Sequence, residues 1–457
     1  MNMGLRVLLL AVAMAATGCS AIVGDYEARA SDGISTASLC DIERQAYAFP
    51  IDLTSTAQQP DLETYFELAN PELTAHLAEL AAAYGAGTPG AGVTYVMGGA
   101  GVGKSFAMRN LDAFADTDQC AIDLTELFTT GAQSLPFTVV QTPDLATIDG
   151  QLVFNELPAM EDPAAFDLPS FLTAAGCEVT GTLLPLIAID GLDEIHSASA
   201  TAILQAIDQS ILGGTLVAGP FIRFVVAGMP EAFNTWLTDP ARTEDNSAIE
   251  DAFTLNPPRF ETAGDLDYRI REYLDYSGQL DGLEASGELE GYIASVSNAV
   301  ASNPFLTYCM GILAVGNIAI EHTKPGADEG EQQLKVGLFD DILERGASTH
   351  GRPDAGSALS GSYLRLLEEI AVRHLDVGDD GVFEVLSEER LQVRDDAGAV
   401  LGEVRVRDVL DRGGAAFFSS PFAADSRYHF DPFWVHAHLV ERYNQRTIPG
   451  YVYRTCQ

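Results

Sequence analysis

The sequence predicts an α/β fold in which a parallel sheet carries a phosphate-binding loop. Residues 93–97 form a short β-branched and aromatic run, and residues 98–105 follow it with the pattern G-x-x-x-x-G-K-S. Residues 106–111 then continue with helical character, and residues 183–190 form a second apolar run that ends in a carboxylate. A strand, a glycine-rich loop and a helix in this order predict a site for the phosphates of a nucleotide.

The glycine-rich loop is expected to surround the phosphates with its backbone N–H groups. Lys104 would neutralise the β- and γ-phosphates, and the hydroxyl of Ser105 would bind Mg²⁺. The chain contains few lysines, with Lys324 and Lys335 as the others, so a lysine at this position favours a real phosphate site over a chance glycine turn. The predicted nucleotide-binding residues are Gly98, Gly99, Ala100, Gly101, Val102, Gly103, Lys104 and Ser105.

Three carboxylates at the end of the second apolar run complete the predicted site. Asp190 ends a run that is typical of a central strand buried on both faces, and it is predicted to bind Mg²⁺ opposite Ser105. Glu194 is placed to orient or deprotonate an attacking water, and Asp193 adds a carboxylate beside the metal. Glu194 and Asp193 are therefore the predicted catalytic residues.

Composition limits the classes of function. The 457 residues, of which 47% are hydrophobic, are enough for two or three domains with real cores. Sixty-six acidic residues against 25 Lys and Arg give a net charge of −41, which repels nucleic-acid phosphate and anionic lipid headgroups at long range. Nucleic-acid binding is therefore disfavoured, and the dispersed acidity indicates a solvated surface suited to a salty or extracytoplasmic setting.

The N-terminus is predicted to be a targeting segment. Arg6 precedes an apolar run at residues 7–16, which has the length of a signal-peptide core and is too short to cross a bilayer as a helix. The sequence AATGCS then resembles a bacterial lipobox, in which Cys19 would be lipidated, although Ala16 stands where Leu is usual. Lipidated Cys19 would anchor the chain to a membrane.

The predicted site and the predicted anchor point to different compartments. ATP is abundant in the cytoplasm, whereas a lipobox implies export to the cell envelope. Translation starting at Met14 would delete the apolar run and leave a cytoplasmic protein. Alternatively, the chain is a membrane-anchored lipoprotein whose site is vestigial or binds another phosphate.

The other cysteines show no metal-ligand spacing. Cys120 and Cys177 flank the predicted second and third strands and could come close, but buried thiols are the expectation. The number of cysteines left after Cys19 is odd, so an exported monomer keeps at least one thiol unpaired. These remaining residues are Cys40, Cys120, Cys177, Cys309 and Cys456.

The two motifs resemble those of NACHT-type STAND P-loop NTPases, a branch of the AAA+-like group. The resemblance rests on GGAGVGKS at residues 98–105 and on IDGLDE at residues 189–194, where a small residue follows the first Asp. The resemblance covers roughly Asp61 to Tyr443. It implies a P-loop NTPase parallel sheet of strand order 2-3-4-1-5 flanked by helices, then a helical domain and a winged-helix-like domain, with nucleotide exchange switching between closed and open forms.

This resemblance divides the chain into a signal peptide at 1–18, a tether at 19–60, a P-loop NTPase domain at 61–240, a helical domain at 241–355 and a winged-helix-like domain at 356–457. Two short apolar stretches, 137–140 and 152–154, are expected to form a small hairpin inserted in the NTPase domain.

The sequence departs from the family pattern after the fourth predicted strand. Residues 228–230, Gly-Met-Pro, keep the family's proline but lack the arginine that senses the γ-phosphate. Arg223, Arg242 or Arg259 could substitute, and the spacing selects none of them. Pro304 resembles a residue with which the family's helical domain contacts adenine, although a proline at a helix start is an equally good explanation.

Together these observations predict a Mg-ATP-binding NTPase that acts as a nucleotide-gated switch with slow hydrolysis. The alternative is an exported, membrane-anchored lipoprotein serving as a non-enzymatic binding or scaffold module on a P-loop fold. No repeat sensor or effector domain is recognisable, so the protein partner is unknown. A metal site at His436 and His438 is not expected, because residues two apart on a helix point in different directions. DNA binding through a winged helix is disfavoured by the charge.

Overall fold

A computed structural model describes most of the chain. The described residues are 34–37, 39–41, 51–52, 54–56, 61–86, 90–98, 102–109, 119–143, 156–177, 186–213, 221–229, 233, 236, 250–325, 337–341, 358–377, 381–394, 398–410, 418–422, 427–430 and 434–454. The predicted signal peptide, Cys19, Arg242 and the loop residues Gly99, Ala100 and Gly101 lie outside these ranges.

A parallel sheet forms the centre of the N-terminal half. Its part of the chain contains β1 (Gly90–Met97), β2 (Gln119–Asp123), β3 (Val139–Pro143), β4 (Glu156–Met160), β5 (Leu186–Asp190), β6 (Phe221–Gly228) and β7 (Glu250–Thr254). Five of these strands pair in parallel in the order β2-β5-β6-β1-β7. Strands β3 and β4 pair with each other as an antiparallel hairpin outside this sheet.

Numbered along the chain, this order differs from the predicted 2-3-4-1-5 only because the hairpin interrupts the count. The five strands of the sheet, counted alone, follow 2-3-4-1-5. The predicted α/β fold with a parallel sheet is therefore confirmed. The first strand of the hairpin overlaps the predicted stretch 137–140, whereas its second strand, Glu156–Met160, begins after the predicted stretch 152–154, which lies outside the described part of the chain.

Helices cover both faces of the sheet. They are α1 (Leu62–Ala69), α2 (Pro71–Gly85), α3 (Lys104–Arg109), α4 (Leu124–Thr129), α5 (Leu168–Ala174) and α6 (Ser197–Gly213). The carboxylate of Asp61 caps α1 by accepting from the backbone N–H of Thr64 at 2.8 Å. Proline at position 71 is the first residue of a new helix, a position that its fixed φ and missing N–H favour.

The apolar side chains of the central strands alternate between two hydrophobic clusters, one on each face. This is why β5 reads as a continuous apolar run: both of its faces are buried. One face carries Val93, Tyr95, Ile187, Ile189, Phe224 and Val226, and the other carries Val96, Leu186, Ala188, Val225 and Ala227.

The rest of the chain is helical and then mixed. Helices α7 (Ala263–Tyr276), α8 (Leu280–Ser286), α9 (Leu289–Ala301), α10 (Pro304–Gly311) and α11 (Leu313–His322) come first. Next come α12 (Ala358–Arg373), β8 (Phe383–Glu384), β9 (Arg390–Arg394), β10 (Val400–Arg405), α13 (Val406–Asp408), β11 (Phe418–Phe422), β12 (Arg427–Phe430) and α14 (Trp434–Thr447).

In this C-terminal region β11, β12 and β8 form an antiparallel sheet, β9 pairs with β10, and α12 packs against α14. Helices α7 to α12 and α14 contribute to one continuous hydrophobic core. The domain limits at residues 240 and 355 stay predictions. No helix in the described residues is both long and apolar enough to cross a bilayer.

Part of the segment predicted as a tether, residues 19–60, is packed against the C-terminal helix α14. Residues 39–41 are helical, and the side chains of Ile34 and Leu39 are buried in the same core as α14. These two apolar residues supply burial that the surrounding Ser, Ala, Gly and Asp do not.

Hydrogen bonds fix this segment to α14. The backbone N–H of Ile34 donates to Oδ1 of Asn444 at 3.0 Å, and Nδ2 of Asn444 donates back to the Ile34 carbonyl at 3.0 Å. The hydroxyl of Thr36 donates to Oε1 of Glu441 at 3.3 Å. Asn444 and Glu441 are both buried, so the segment adds partners to polar groups inside the fold, where unpaired hydrogen-bonding atoms are costly.

The same N-terminal stretch also contacts the start of α7. Asp52 forms a parallel β-bridge with Thr262, and the phenol of Tyr65 donates to Oδ1 of Asp265 at 2.5 Å. Thr262 and Asp265 form the capping box of α7. The residues before the sheet therefore join the helical and C-terminal regions.

The cysteines differ from the expectation of buried thiols. Cys120 on β2 and Cys177 after α5 form a disulfide, with their Cα atoms 5.7 Å apart. The strand and the helix end meet on one face of the sheet, which brings two cysteines 57 residues apart within bonding distance. Cys40 is also disulfide-bonded, whereas Cys309 is a buried thiol.

Candidate nucleotide site

The candidate site lies at the carboxyl ends of the central strands. Because the strands are parallel, these ends meet at one edge of the sheet. Met97 of β1 is paired with Gly228 of β6, and Asp123 of β2 is paired with Asp190 of β5. The glycine-rich loop that follows β1 therefore starts at the same edge of the sheet as the acidic ends of β2 and β5, with β6 between them.

The described residues on either side of the glycine-rich loop lie close together. The backbone N–H of Gly98 donates to the Gly228 carbonyl at 3.3 Å, and Nζ of Lys104 donates to the Gly98 carbonyl at 2.9 Å. A Cβ at Gly98 would lie 2.5 Å from Cγ2 of Val102, and Gly103 has φ +106°. Glycine is needed at both places, because a side chain would collide at one and be strained at the other.

Lys104, Ser105 and Asp190 are brought together by the loop and β5. Burial raises the pKa of the Asp190 carboxyl, and the nearby Asp193 charge raises it further. A hydrogen bond with Ser105 and the charge of Lys104 act in the opposite direction but do not outweigh these effects. The sequence predicted these residues around one magnesium-bound polyphosphate, and they are neighbours in the fold.

Glu194 lies near Asp190, on a short 3₁₀ turn at Leu192–Glu194. Its Oε2 accepts a short hydrogen bond from the hydroxyl of Thr125, the second residue of α4. Gly191, with φ +78°, makes this contact possible, since a Cβ there would lie 2.9 Å from Oγ1 of Thr125.

The pKa of the Glu194 carboxyl is shifted toward neutral pH. Burial raises its pKa to about 7, the charges of Asp193, Asp190 and Asp123 add to the rise, and the Thr125 hydrogen bond opposes it. A general base is most effective when its pKa lies near the working pH. Glu194 therefore has the acidity that proton abstraction near neutral pH requires.

Two residues at this edge were missed by the sequence analysis. Asp123 ends β2, caps α4 by accepting from the Glu126 N–H at 3.0 Å, and lies 3.6 Å from Arg109 of α3. Thr125 follows two residues later. The predicted strand order could have identified them. In the order 2-3-4-1-5 the second strand lies beside the strand that ends in Asp190, so polar residues at the end of the second strand belong to the site.

The donor set fits Mg²⁺. Magnesium prefers oxygen ligands and is usually bound by one or two carboxylates, with phosphate oxygens and waters completing its octahedron. The Ser105 hydroxyl and the Asp190 carboxylate are such ligands. The described residues contain no cluster of three or more His, Cys, Asp or Glu suited to a metal.

Other residues proposed from the sequence lie elsewhere. Arg223 is paired with Gly92 and Leu186, near the starts of their strands, and its Nη1 is 3.7 Å from Asp251. It therefore cannot replace the arginine that is missing after β6. Arg259 is an exposed residue beyond β7.

The sequence also drew attention to Pro304, His436 and His438, and each of them has a structural role. Pro304 is the first residue of α10, the position that a proline favours on backbone grounds alone. Nε2 of His436 lies 2.7 Å from the Ala371 carbonyl. His438 instead contacts the Tyr453 hydroxyl and Asp340, so the two imidazoles face different neighbours.

Comparisons with known proteins find similarity in structure only. No family model and no curated protein matches the sequence. The chain is similar to a Walker-type ATPase of Pyrococcus abyssi, with TM-score 0.34 and 12% identity over 79% of this chain and 94% of that chain. It is also similar to the ADP form of the Aeropyrum pernix ORC2 protein, with TM-score 0.33 and 14% identity over 69% and 75%.

A third similar structure is the Thermotoga maritima RuvB Holliday junction branch migration motor, with TM-score 0.28 and 11% identity over 71% of this chain and 83% of that chain. Scores this low carry no argument about activity. The positions of Lys104, Ser105, Asp190 and Glu194 at one edge of the sheet are what bears on function.

Proposed function

We propose that this chain is a Mg²⁺-ATP-binding P-loop NTPase that acts as a nucleotide-gated switch of the NACHT-like STAND type, with slow hydrolysis. The observation that carries the proposal is the meeting of Lys104, Ser105 and Asp190 where a glycine-rich loop follows the central strand of a parallel sheet. A lysine, a hydroxyl and a carboxylate in this arrangement match the needs of a magnesium-bound triphosphate.

Each residue has a defined task. Lys104 would exchange its hydrogen bond with the Gly98 carbonyl for the phosphate oxygens. Ser105 and Asp190 would hold Mg²⁺, and Asp193 would add negative charge beside it. When bound, the nucleotide and its metal supply the phosphoryl group and the cation that bridges its oxygens.

Glu194 would position the attacking water and accept its proton at Oε1, since Oε2 is engaged by Thr125. Its pKa of about 7 means that a substantial fraction is protonated near neutral pH. With no arginine at residues 228–230 and Arg223 directed elsewhere, stabilisation of charge on the transferred group is weaker. Both features support slow hydrolysis and a switch function.

Titration calorimetry with Mg-ATP tests nucleotide binding. Lys104→Ala removes the side chain that neutralises the phosphates and should weaken binding at least about a hundredfold, about 2.7 kcal/mol. Lys324→Ala is a matched control, because it removes an exposed lysine from the end of α11 and should bind as the wild type does. Equal ATP affinity of the wild type and Lys104→Ala would refute the proposal.

A second candidate function is favoured by the disulfides. Disulfides persist in oxidising compartments and are rare in the cytosol, and both the Cys120–Cys177 bond and the bonded Cys40 support export. An exported lipoprotein, anchored through Cys19 in the cell envelope, would use the P-loop fold as a binding or scaffold module.

Labelling of cells with radioactive palmitate, followed by fractionation, distinguishes these functions. Label in the wild type and none in Cys19→Ser, in a membrane-bound protein without ATPase activity, would favour the lipoprotein module. An unlabelled soluble protein that binds Mg-ATP would favour the cytoplasmic switch.

A further inference from the structure

The Cys120–Cys177 disulfide joins two elements that both lead to α4. On one side of the bond, β2 runs from Cys120 to Asp123 and continues directly into α4. On the other side, Cys177 lies just after α5, where its backbone N–H donates to the Leu172 carbonyl at 2.8 Å. Strand β2 is the outermost strand of the five-stranded sheet, so this bond constrains a strand that pairs with β5 on one side.

A row of aromatic side chains connects α5 to α4. The ring of Phe171 on α5 is stacked against that of Phe137, with centroids 6.3 Å apart, and Phe137 in turn contacts Phe128 of α4 at 5.6 Å. Phe171 and Phe128 are buried in the hydrophobic cluster that also contains Cys177. The disulfide, β2, α4, these rings and α5 therefore form a closed path of contacts, in which the disulfide is the covalent link between β2 and α5.

The first turn of α4 carries the contact with Glu194. Asp123 starts this turn by accepting from the Glu126 N–H at 3.0 Å, and the hydroxyl of Thr125 donates to Oε2 of Glu194. Three residues of extended strand, about 10 Å, separate Cys120 from Asp123. The disulfide thus constrains the turn that holds the hydroxyl against Glu194.

We infer that the Cys120–Cys177 disulfide is a redox switch for hydrolysis: it positions Glu194 through Thr125, and its reduction releases α4 and slows turnover. This inference rests on the proposed NTPase function and concerns the regulation of the same site. In it the two cysteines are positioning residues, because they act on the reaction through Thr125 and Glu194.

One half of the bond is open to attack. Cys120 is partly exposed, whereas Cys177 is buried, and exposed disulfides are the labile ones. The thiolate of a carrier dithiol attacks Sγ of Cys120, the S–S bond breaks, and Cys177 leaves as a thiolate that takes up a proton. The second carrier thiol then attacks the mixed disulfide and releases Cys120 as a thiol. Two electrons and two protons have passed to the chain, and the carrier has become a disulfide.

Reduction should affect turnover and not nucleotide binding. Without the covalent link, Thr125 engages Glu194 for a smaller fraction of the time, and kcat should fall about fivefold, the rate equivalent of one hydrogen bond. The affinity for Mg-ATP should stay the same, since Lys104, Ser105 and Asp190 lie on α3 and β5, outside the closed path.

Hydrogen exchange of the nucleotide-free protein tests the coupling without any activity. The full-length wild type is compared before and after treatment with dithiothreitol. Backbone amides of residues 126–130, which belong to α4 and its end, should exchange faster in the reduced protein, while those of α2, on the other face of the sheet, should be unchanged. Equal exchange of residues 126–130 in the two states would overturn the inference.

Steady-state ATP hydrolysis with and without dithiothreitol tests the effect on the reaction. Cys120→Ser/Cys177→Ser should have the rate of the reduced wild type and should no longer respond to the reductant. Cys40→Ser is the matched control, because Cys40 is also disulfide-bonded, and this variant should keep the full response. A response that persists in Cys120→Ser/Cys177→Ser would place the switch at the Cys40 disulfide and overturn the inference.

Thr125→Val keeps the falsifying test in hand if the double cysteine variant does not accumulate. With its disulfide intact this variant should already turn over slowly, and dithiothreitol should slow it no further; a full response would show that the disulfide does not act through Thr125. A wild type that binds no Mg-ATP would refute the proposed function instead, and the exchange of residues 126–130 would still decide whether the disulfide holds α4.

Discussion

Two clusters of acidic side chains in this molecule, most of them partly buried, have opposite electrostatics. At the candidate nucleotide site the pKa values of Asp190 and Glu194 are raised, mainly by burial. Beside α14, burial also acts to raise the pKa of Asp340, but the hydrogen bond with His438 and the charge of Arg442 outweigh it, and the pKa is lowered. Burial acts on both clusters, so the difference comes from the neighbouring hydrogen-bond donors and cations.

The cluster on α14, comprising Asp340, Glu368, His438, Arg442 and Arg446, carries its own cations. Arg442 contacts Asp340 and also donates from Nε to Glu368 at 3.4 Å. Arg446 donates from Nε to the other oxygen of Glu368 at 2.8 Å. These charges are balanced inside the fold, as a structural cluster requires.

The nucleotide-site cluster comprises Asp123, Asp190, Asp193 and Glu194, and the positive charges next to it in the described part of the chain are Lys104 and Arg109, the latter 3.6 Å from Asp123. Lys104 lowers the pKa of Asp190, yet burial and Asp193 outweigh it. Burying carboxylates without enough positive charge costs free energy, which a bound divalent cation would offset. The comparison teaches that incomplete charge balance, more than acidity itself, distinguishes a ligand site from a structural one.

The largest expected effect is on the balanced cluster. Arg442→Ala leaves Asp340 and the buried Glu368 with fewer cations, and should lower the free energy of unfolding by about 3 kcal/mol. Chemical denaturation at pH 7 measures it. Arg390→Ala, at an exposed position on β9, should change stability by less than about 0.5 kcal/mol. If both variants match the wild type, the cluster on α14 is not stabilising.

Glu194→Gln should raise the stability of the protein, whereas Arg442→Ala should lower it. The folded-state pKa of about 7 lies above the value in the unfolded chain, so the folded wild type binds the proton more tightly than the unfolded chain does. The resulting contribution to the free energy of unfolding is complete below about pH 4.5 and is lost as the pH rises through 7. At pH 8 without nucleotide, the variant should be more stable than the wild type by on the order of 2–3 kcal/mol.

At pH 4 the Glu194→Gln variant and the wild type should have equal stability. Denaturation curves at several pH values measure the difference. A difference that does not change between pH 4 and 8 would contradict the raised pKa. Asp41→Asn changes an exposed carboxylate and provides the control.

Asp190→Asn removes a charge that the site cannot balance alone. The variant should lose the Mg²⁺ dependence of ATP binding, with affinity in saturating Mg²⁺ falling roughly tenfold, about 1.4 kcal/mol. Calorimetric titrations with Mg²⁺ and with EDTA measure it. Retention of the full magnesium effect would show that Asp190 is not a ligand.

Thr125→Val should have the smallest effect. The variant loses the hydrogen bond that lowers the pKa of Glu194, at a cost of about 1 kcal/mol, and the pKa should rise above 7. The pH dependence of stability then shifts upward. In the Glu194→Gln background the same substitution should leave that pH dependence unchanged, and an identical shift in both backgrounds would exclude Glu194 as its origin.

The central sheet was predictable because its signals are local. A β-branched run before the glycine-rich loop predicted β1, and an apolar run ending in Asp190 predicted β5. The meeting of Lys104 with Asp190 followed from parallel pairing, since carboxyl ends share one edge. Thr125 was missed because its role depends on Gly191, whose left-handed backbone opens space for a neighbour distant in sequence.

Long-range pairings were beyond the sequence for a similar reason. Arg223 was a candidate phosphate sensor until strand register placed it near the starts of its neighbouring strands. The Cys120–Cys177 bond depends on where α5 ends against β2, which no spacing encodes. The packing of Ile34 depends on Asn444, 410 residues away.

The attachment of residues 34–41 to α14 has a practical consequence for recombinant work. A shortened protein beginning at residue 61, the predicted start of the NTPase domain, would uncover the amide of Asn444 and the carboxylate of Glu441 together with adjacent core side chains. Such a product should precipitate during expression, whereas one beginning before residue 34 should stay in solution.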